Sequence, residues 1–316
     1  MNGPVNVALY GANGHQIHDE LMQLPRARLV AAAQFPKDKL PPGVRCYDKL
    51  DDLLRDPEIH LISLCSPRRI DQAQDAVKSL LAGKHVYAEK PCALTETELD
   101  TILDAAKRSG RQFREMAGTA FCQPYYAMRE IVLGGRLGKI IQVIAEKSYP
   151  YQTWRPQDEN MDGGLICQCA IHAMRFVEHV ACQRVDSVHA LETSAGNPVV
   201  SGGLRMAAGM LSSLEQGGIA VISANYLNQP GTGIWGYESL RIIGSDGFVE
   251  SHRGGEQTRL VIGGIDHGPL DISAAGINYL GSFIDTILGL GTMPLTTEEE
   301  LSPTRWVLRA KQAAHF

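Results

Sequence analysis

What this chain lacks narrows the field first. Its 316 residues contain no apolar run approaching the roughly 18 needed to cross a bilayer, so no membrane partner is expected. The opening Met1-Asn2-Gly3-Pro4 has no basic stretch followed by an apolar one, the pattern of a secretory leader, and a cytoplasmic protein is expected. A positive surplus is also missing. The net charge is −5, whereas binding nucleic acid requires a basic surface. The cysteines number seven, an odd count, and no CxxC occurs among them. In a chain this long they read as reduced thiols rather than a disulfide framework. One cluster, Cys167-x-Cys169-x-x-His172, has the elements of a metal site. Its spacing differs from the usual zinc patterns and it supplies too few ligands, so packed thiols are favoured and no metal is expected. No repeat or low-complexity segment is visible.

What is present is an ordered alternation. Val5–Tyr10, Arg28–Gln34, His60–Cys65 and Lys84–Ala88 are short apolar runs of the kind buried on both faces of a parallel sheet. Between them the spacing predicts helices over His15–Leu24, Asp51–Arg55 and Asp71–Ala82. A further helix opens at a Thr95-x-x-Glu98 capping box and stops at Gly110. Arg111–Gly118 reads as one more strand. This pattern is α/β, a doubly wound Rossmann-type sheet, and residues 1–121 are assigned to it.

From residue 122 to 316 the pattern becomes α+β, with a large, mostly antiparallel open sheet. Strands are expected at Lys139–Ser148, from Val185, Met206–Leu214, Ile219–Tyr226, Glu238–Ile243, Phe248–His252 and Gln257–Ile262. Hairpin turns are expected at Glu215–Gly218 and Gly244–Gly247. Helices are expected at Pro124–Leu133, Ile166–Val180 and Tyr279–Leu288, with a last helix opening at Thr297-x-x-Glu300 that can pack back on the first domain.

Gly11-Ala12-Asn13-Gly14-His15 falls between the first strand and the first helix. Glycines there let a backbone approach a pyrophosphate, and a helix N-terminus offers N–H donors. A ligand-free tight turn would have the same sequence. About 20 residues on, where a ribose-binding acid is expected, stands Gln34. An amide does not repel a 2′-phosphate and Lys37 lies close by, so NAD and NADP both remain possible, with a lean to NADP. Glu89-Lys90-Pro91 directly follows a strand. A lysine at the carboxyl end of a parallel strand enters the crevice where ligands bind and can polarise a reacting oxygen.

The run His85-Val-Tyr-Ala-Glu89-Lys90-Pro91 resembles the glucose-fructose oxidoreductase/inositol dehydrogenase (Gfo/Idh/MocA) family. So do Ser66-Pro67, Gly135-Arg-Leu-Gly138-Lys139-Ile140, Gly163-Gly164-Leu165 with Ile171-His172, and Ile243-Gly-Ser-Asp-Gly247. The resemblance runs along almost the whole chain. It implies a nicotinamide-dependent oxidoreductase acting on a sugar, polyol or related alcohol/carbonyl pair. It gives Lys90 and His172 as catalytic residues, the histidine as general acid/base. The cofactor is expected on Gly11, Ala12, Asn13, Gly14, His15, Gln34, Lys37, Ser66, Pro67, Glu89 and Lys90. The substrate is expected between the nicotinamide and the open face of the second domain, against Lys90, Trp154, Arg155, Gln168 and His172. A homodimer or homotetramer through the C-terminal sheet is also implied.

The chain departs from the family pattern in places. Gln168 stands where an aspartate four residues before the histidine is usual. Arg68 and Asp71 replace an asparagine and a histidine. Arg68 and Arg69 either recognise an anion or pair with Asp71 or Asp75. Trp154 offers an aromatic face to a sugar ring, or simply packs. These departures keep alive a non-catalytic, dinucleotide-binding regulator, and more distantly a lyase-type reaction that uses the nicotinamide transiently.

Overall fold

The computed structural model describes residues 3–315. They form two compact units. One takes in the chain up to Met116 together with Asn160–Gly163 and Tyr279–Glu300. The other comprises Ala117–Glu159, Gly164–Asn278 and the chain from Leu301 onward.

The first unit is built on six parallel strands: β1 (Val5–Tyr10), β2 (Ala27–Ala33), β3 (Arg45–Tyr47), β4 (Leu61–Leu64), β5 (His85–Ala88) and β6 (Phe113–Glu115). Their order is β3-β2-β1-β4-β5-β6, so it reverses between β1 and β4. A crevice at the carboxyl ends of the strands, beside such a reversal, is where ligands bind in open α/β sheets. Val5, Val7, Ala8 and Leu9 of β1 and Leu61, Ile62 and Leu64 of β4 are wholly buried, as central strands covered on both faces require.

Within residues 3–116 four α-helices accompany the sheet: α1 (His18–Leu21), α2 (Leu50–Arg55), α3 (Gln72–Leu81) and α4 (Glu96–Ser109). The α4 capping box forms, with the Thr95 side chain accepting from the Glu98 N–H, and Gly110 closes the helix in the left-handed conformation.

Two differences from the sequence reading stand out. The helix expected over His15–Leu24 is a single turn, His18–Leu21. Upstream, the Gln16 amide donates to the carbonyls of Tyr10 and Gly11 and holds that stretch as turn, while downstream Pro25 bars continuation. The edge strand β3, Arg45-Cys46-Tyr47, was not anticipated, because three mostly exposed residues carry no apolar period.

The second unit carries α5 (Tyr125–Leu133) and an eight-stranded sheet. Its strands are β7 (Ile140–Ser148), β8 (Val185–Thr193), β9 (Ala207–Leu214), β10 (Ile219–Asn225), β11 (Tyr237–Gly244), β12 (Gly247–His252), β13 (Gln257–Ile262) and β14 (Ile265–Gly268). The order is β14-β13-β12-β11-β7-β10-β9-β8, antiparallel except for the β7–β10 pair. Both expected hairpins form; β14, a short polar strand, is additional.

Alternation along the strands separates two faces. Ala220, Ile222 and Ala224 of β10 and Val143 and Ala145 of β7 are buried. A helical segment packs over the sheet: α6 (Ile171–Arg175) between π-helical turns Ile166–Ala170 and Phe176–Val180. On the other face, Val221 pairs with both Leu211 and Ile144, and all three are exposed.

The chain then returns to the first unit in α7 (Tyr279–Leu288), whose buried Phe283 lies 5.6 Å, ring to ring, from Tyr87 of β5. Such a fully buried phenylalanine contributes about 2–3 kcal/mol. In α8 (Thr297–Ala313) the capping pair sits one residue earlier than expected. Thr296 accepts from the Glu299 N–H at 3.2 Å, and Glu299 accepts from the Thr296 N–H at 2.8 Å. Glu300, the expected capping partner of Thr297, is instead buried in the first unit.

Candidate active site

In the first unit the glycine turn follows β1 directly. Gly11 has φ +72°, and a Cβ there would meet the Cys65 carbonyl oxygen at 2.0 Å, so only glycine fits. A Cβ on Gly14 would lie 2.5 Å from the side chain of Glu89. The group approaching this turn is therefore the chain's own carboxylate. Glu89 Oε2 accepts the His15 N–H at 2.5 Å and lies 3.2 Å from the His15 ring Nδ1. Glu89 Oε1 accepts the Lys90 N–H at 2.9 Å. Burial pushes the Glu89 carboxyl up, but the His15 hydrogen bond and the charges of Lys90 and Arg69 outweigh it and bring it down to about 2. With the His15 N–H engaged, the exposed Ala12 N–H is the donor without an acceptor among the described residues.

The end of β5 is fixed from below. Gln72 at the start of α3 donates to the carbonyls of Glu89 at 2.5 Å and Pro91 at 3.0 Å, bracketing buried Lys90. Ser66 is buried, its hydroxyl donating to Asp75 at 2.8 Å and its N–H to Gln72 at 3.2 Å. Arg69 is buried too. It donates to the Asn13 carbonyl at 2.7 Å and to Gln72, so the pairing with Asp71 or Asp75 does not form. Arg68 is exposed and makes no ion pair among the described residues. The Asn13 amide donates to the carbonyls of Met161 and Pro67. The turn is thus braced by Arg69 and Asn13, neither of which a sequence pattern marks for that role.

Gln34 and Lys37 do come together, lining a cavity of about 210 Å³ with Phe35, Tyr47 and Asp48. Gln34 adopts φ +54°, unusual for a residue with a side chain, and its amide donates to the Asp48 carbonyl at 3.3 Å. Asp48 follows β3, a short exposed strand with no apolar period, so no sequence pattern marks this acid.

In the second unit, Gln168 and His172 lie on the helical segment that covers the sheet. The substrate is expected at the open face, whereas these two residues belong to the opposite, covered face. The inward alternation of β7 and β10 runs on past the strand ends to Tyr149 and Tyr226, both buried. Tyr149 Oη stands 3.3 Å from His172 Nε2, and Tyr226 donates to Gln168 Oε1 at 3.1 Å. The Arg155 guanidinium stacks 3.7 Å over the Tyr226 ring. Trp154 stacks with Trp235, centroids 6.5 Å apart. Tyr149, Tyr226 and Trp235 were not singled out in sequence, since their clustering depends on where β7, β10 and β11 end and begin. Cys167 and Cys169 turn into the core, their thiols near the carbonyls of Val307 and Lys147.

Comparison with known proteins agrees with this division. Residues 6–116 match a family model described as an oxidoreductase family with an NAD-binding Rossmann fold, and residues 125–250 match the corresponding GFO/IDH/MocA C-terminal domain. The chain is 27% identical over 175 residues to 1-carboxy-3-chloro-3,4-dihydroxycyclohexa-1,5-diene dehydrogenase of Comamonas testosteroni, covering 52% of this chain and 43% of that one. It is 25% identical over 176 residues to 1,5-anhydro-D-fructose reductase of Ensifer adhaerens, covering 52% and 53%. The chain spans about half the length of the curated relatives it matches. The solved aldose-aldose oxidoreductase of Caulobacter crescentus, complexed with glycerol, shares the fold with a TM-score of 0.83 at 18% identity, over 98% of this chain and 97% of that one.

Proposed function

The chain belongs to the Gfo/Idh/MocA oxidoreductase family, and from that premise we propose that it is an NAD(P)-dependent dehydrogenase or reductase of a sugar, polyol or related ring alcohol. The observation that carries the reading is the pinned strand end: Gln72 and Glu89 hold buried Lys90 at the carboxyl edge of the parallel sheet. The bound nicotinamide supplies the hydride chemistry. Lys90 polarises the reacting oxygen, and His172 takes or returns its proton beside Tyr149. Gln168 holds a neighbouring hydroxyl and cannot share the proton. The named substrates of the two relatives, a dihydroxylated carbon ring and an anhydro-sugar, support a ring-bearing substrate.

The glycine turn fits a dinucleotide through the Ala12 N–H rather than the His15 N–H, which Glu89 already occupies. Uncharged Gln34 and cationic Lys37 support NADP, while Asp48 in the same cavity moderates that preference. The test of the catalytic reading is Lys90→Ala, assayed at the nicotinamide absorbance with NAD and NADP over a panel of sugars and polyols. Turnover falls by about a hundredfold or more. Turnover within a few-fold of the unaltered chain would contradict the role given to Lys90. Cofactor binding with no turnover anywhere on the panel would favour the regulator.

The exposed Leu211–Val221–Ile144 row also supports a homodimer or homotetramer through the open sheet face, because a contiguous apolar surface of this kind marks an interface.

A further inference from the structure

Two buried cations flank Tyr149 in the second unit, and their surroundings differ. Lys147 Nζ lies 4.8 Å from the Tyr149 ring and 2.5 Å from Glu238 Oε1. Glu238 also accepts from Tyr125 at 2.7 Å, so both its oxygens are engaged. Arg155 lies 5.6 Å from the same ring, 5.5 Å from Trp154 and 3.7 Å from Tyr226. It is only 6% exposed. Among the described residues it has no carboxylate partner, and its buried Nε has no acceptor.

A guanidinium in such a place has given up most of its hydration. Ring faces return part of that cost but accept none of its N–H donors. A planar fork of donors matches a carboxylate in two parallel hydrogen bonds. Half-exposed Trp154 and Trp235 stand beside it with flat apolar faces suited to a ring. Through Tyr149 and Tyr226 the cluster is continuous with His172 and Gln168.

We propose that Arg155 is a specificity residue that pairs with a carboxylate on the substrate, so that the substrate is an acidic, hydroxyl-bearing ring such as a uronic acid or a carboxylated cyclitol. A phosphate dianion fits less well. It needs a second uncompensated cation, and Lys147 is already neutralised by Glu238. The proposal rests on the oxidoreductase reading only in treating the bound ring as the substrate.

The test is tryptophan fluorescence titration with D-glucuronate, D-galacturonate and quinate, against the neutral D-glucuronamide and against D-glucose 6-phosphate. At least one carboxylate gives saturable quenching at millimolar concentration, while the amide and the phosphate bind at least about tenfold more weakly. Arg155→Gln weakens the carboxylate by a similar factor, and Arg155→Lys recovers part of it. The carboxylate raises the melting temperature of the unaltered chain but not of Arg155→Gln, a response that a merely packing arginine would not produce.

Equal binding of acid and amide, unchanged binding by Arg155→Gln, or no saturation by any of the three carboxylates overturns the proposal. The acid–amide comparison needs no variant, so it decides even where Arg155→Gln does not fold. Arg155-dependent carboxylate binding with no change in NAD(P)H sinks the oxidoreductase reading and leaves this one standing. Turnover of neutral polyols at an unaltered rate in Arg155→Gln does the reverse.

Discussion

The Glu89 carboxylate accepts the His15 N–H at 2.5 Å, so the turn that resembles a phosphate cradle already holds an anion from its own chain. This carboxyl is depressed to about 2 from an ordinary value of 4.5. A depressed acid contributes stability that is present above its unfolded value and lost as pH falls through the folded one. Glu89→Gln is therefore expected to cost about 2 kcal/mol near neutral pH, the loss of charge-assisted hydrogen bonds at a buried site. The difference from the unaltered chain should shrink between pH 4.5 and 2. Urea unfolding at a series of pH values measures both effects.

Glu300 provides the opposite sign. It is wholly buried, accepts the Glu115 N–H at 2.7 Å and the Tyr279 hydroxyl, and lies 3.4 Å from Arg114 Nη1. Burial outweighs these partners and raises its carboxyl to about 7. A raised acid contributes stability that is complete below its unfolded value and lost as pH climbs through the folded one. Unfolding stability should decline from this group between pH 4.5 and 7, and Glu300→Gln should flatten that decline. A slope unchanged by the substitution would show that Glu300 does not titrate in this range.

Val221 sits at the centre of the exposed row, paired with Leu211 on one side and Ile144 on the other. If a second copy covers this face, Val221→Arg places a charge in the middle of an apolar interface. Light scattering coupled to gel filtration should show a dimer or tetramer converted to monomer, with the melting temperature of the monomer little changed. An unaltered mass would place the interface elsewhere.

The apolar runs made most of the fold legible. β1, β4 and β5 are buried on both faces, and the Thr95/Glu98 box and Gly110 bound α4 where local chemistry dictates. Elements with no such signal were missed or displaced. β3 and β14 are short and polar. α1 is cut to one turn by hydrogen bonds from Gln16, whose partners are distant in sequence or on the turn itself. Thr296 and Thr297 are adjacent threonines, each with an acid three residues on, and burial of Glu300 decides between them. Strand-end Lys90 and helix-borne His172 could be singled out because each falls in a local motif. Tyr149, Tyr226 and Trp235 gather around His172 and Arg155 through the register of strands far apart in sequence, which no local pattern carries.

All of the functional account depends on the first unit holding a nicotinamide dinucleotide. The direct measurement is the fluorescence of NADH and of NADPH titrated against the unaltered chain, Gly11→Val and Lys37→Glu. The account predicts saturable binding of at least one reduced dinucleotide and its loss in Gly11→Val, where a side chain would meet the Cys65 carbonyl. It also predicts that Lys37→Glu weakens NADPH more than NADH. Binding of neither dinucleotide to the unaltered, folded chain would contradict it.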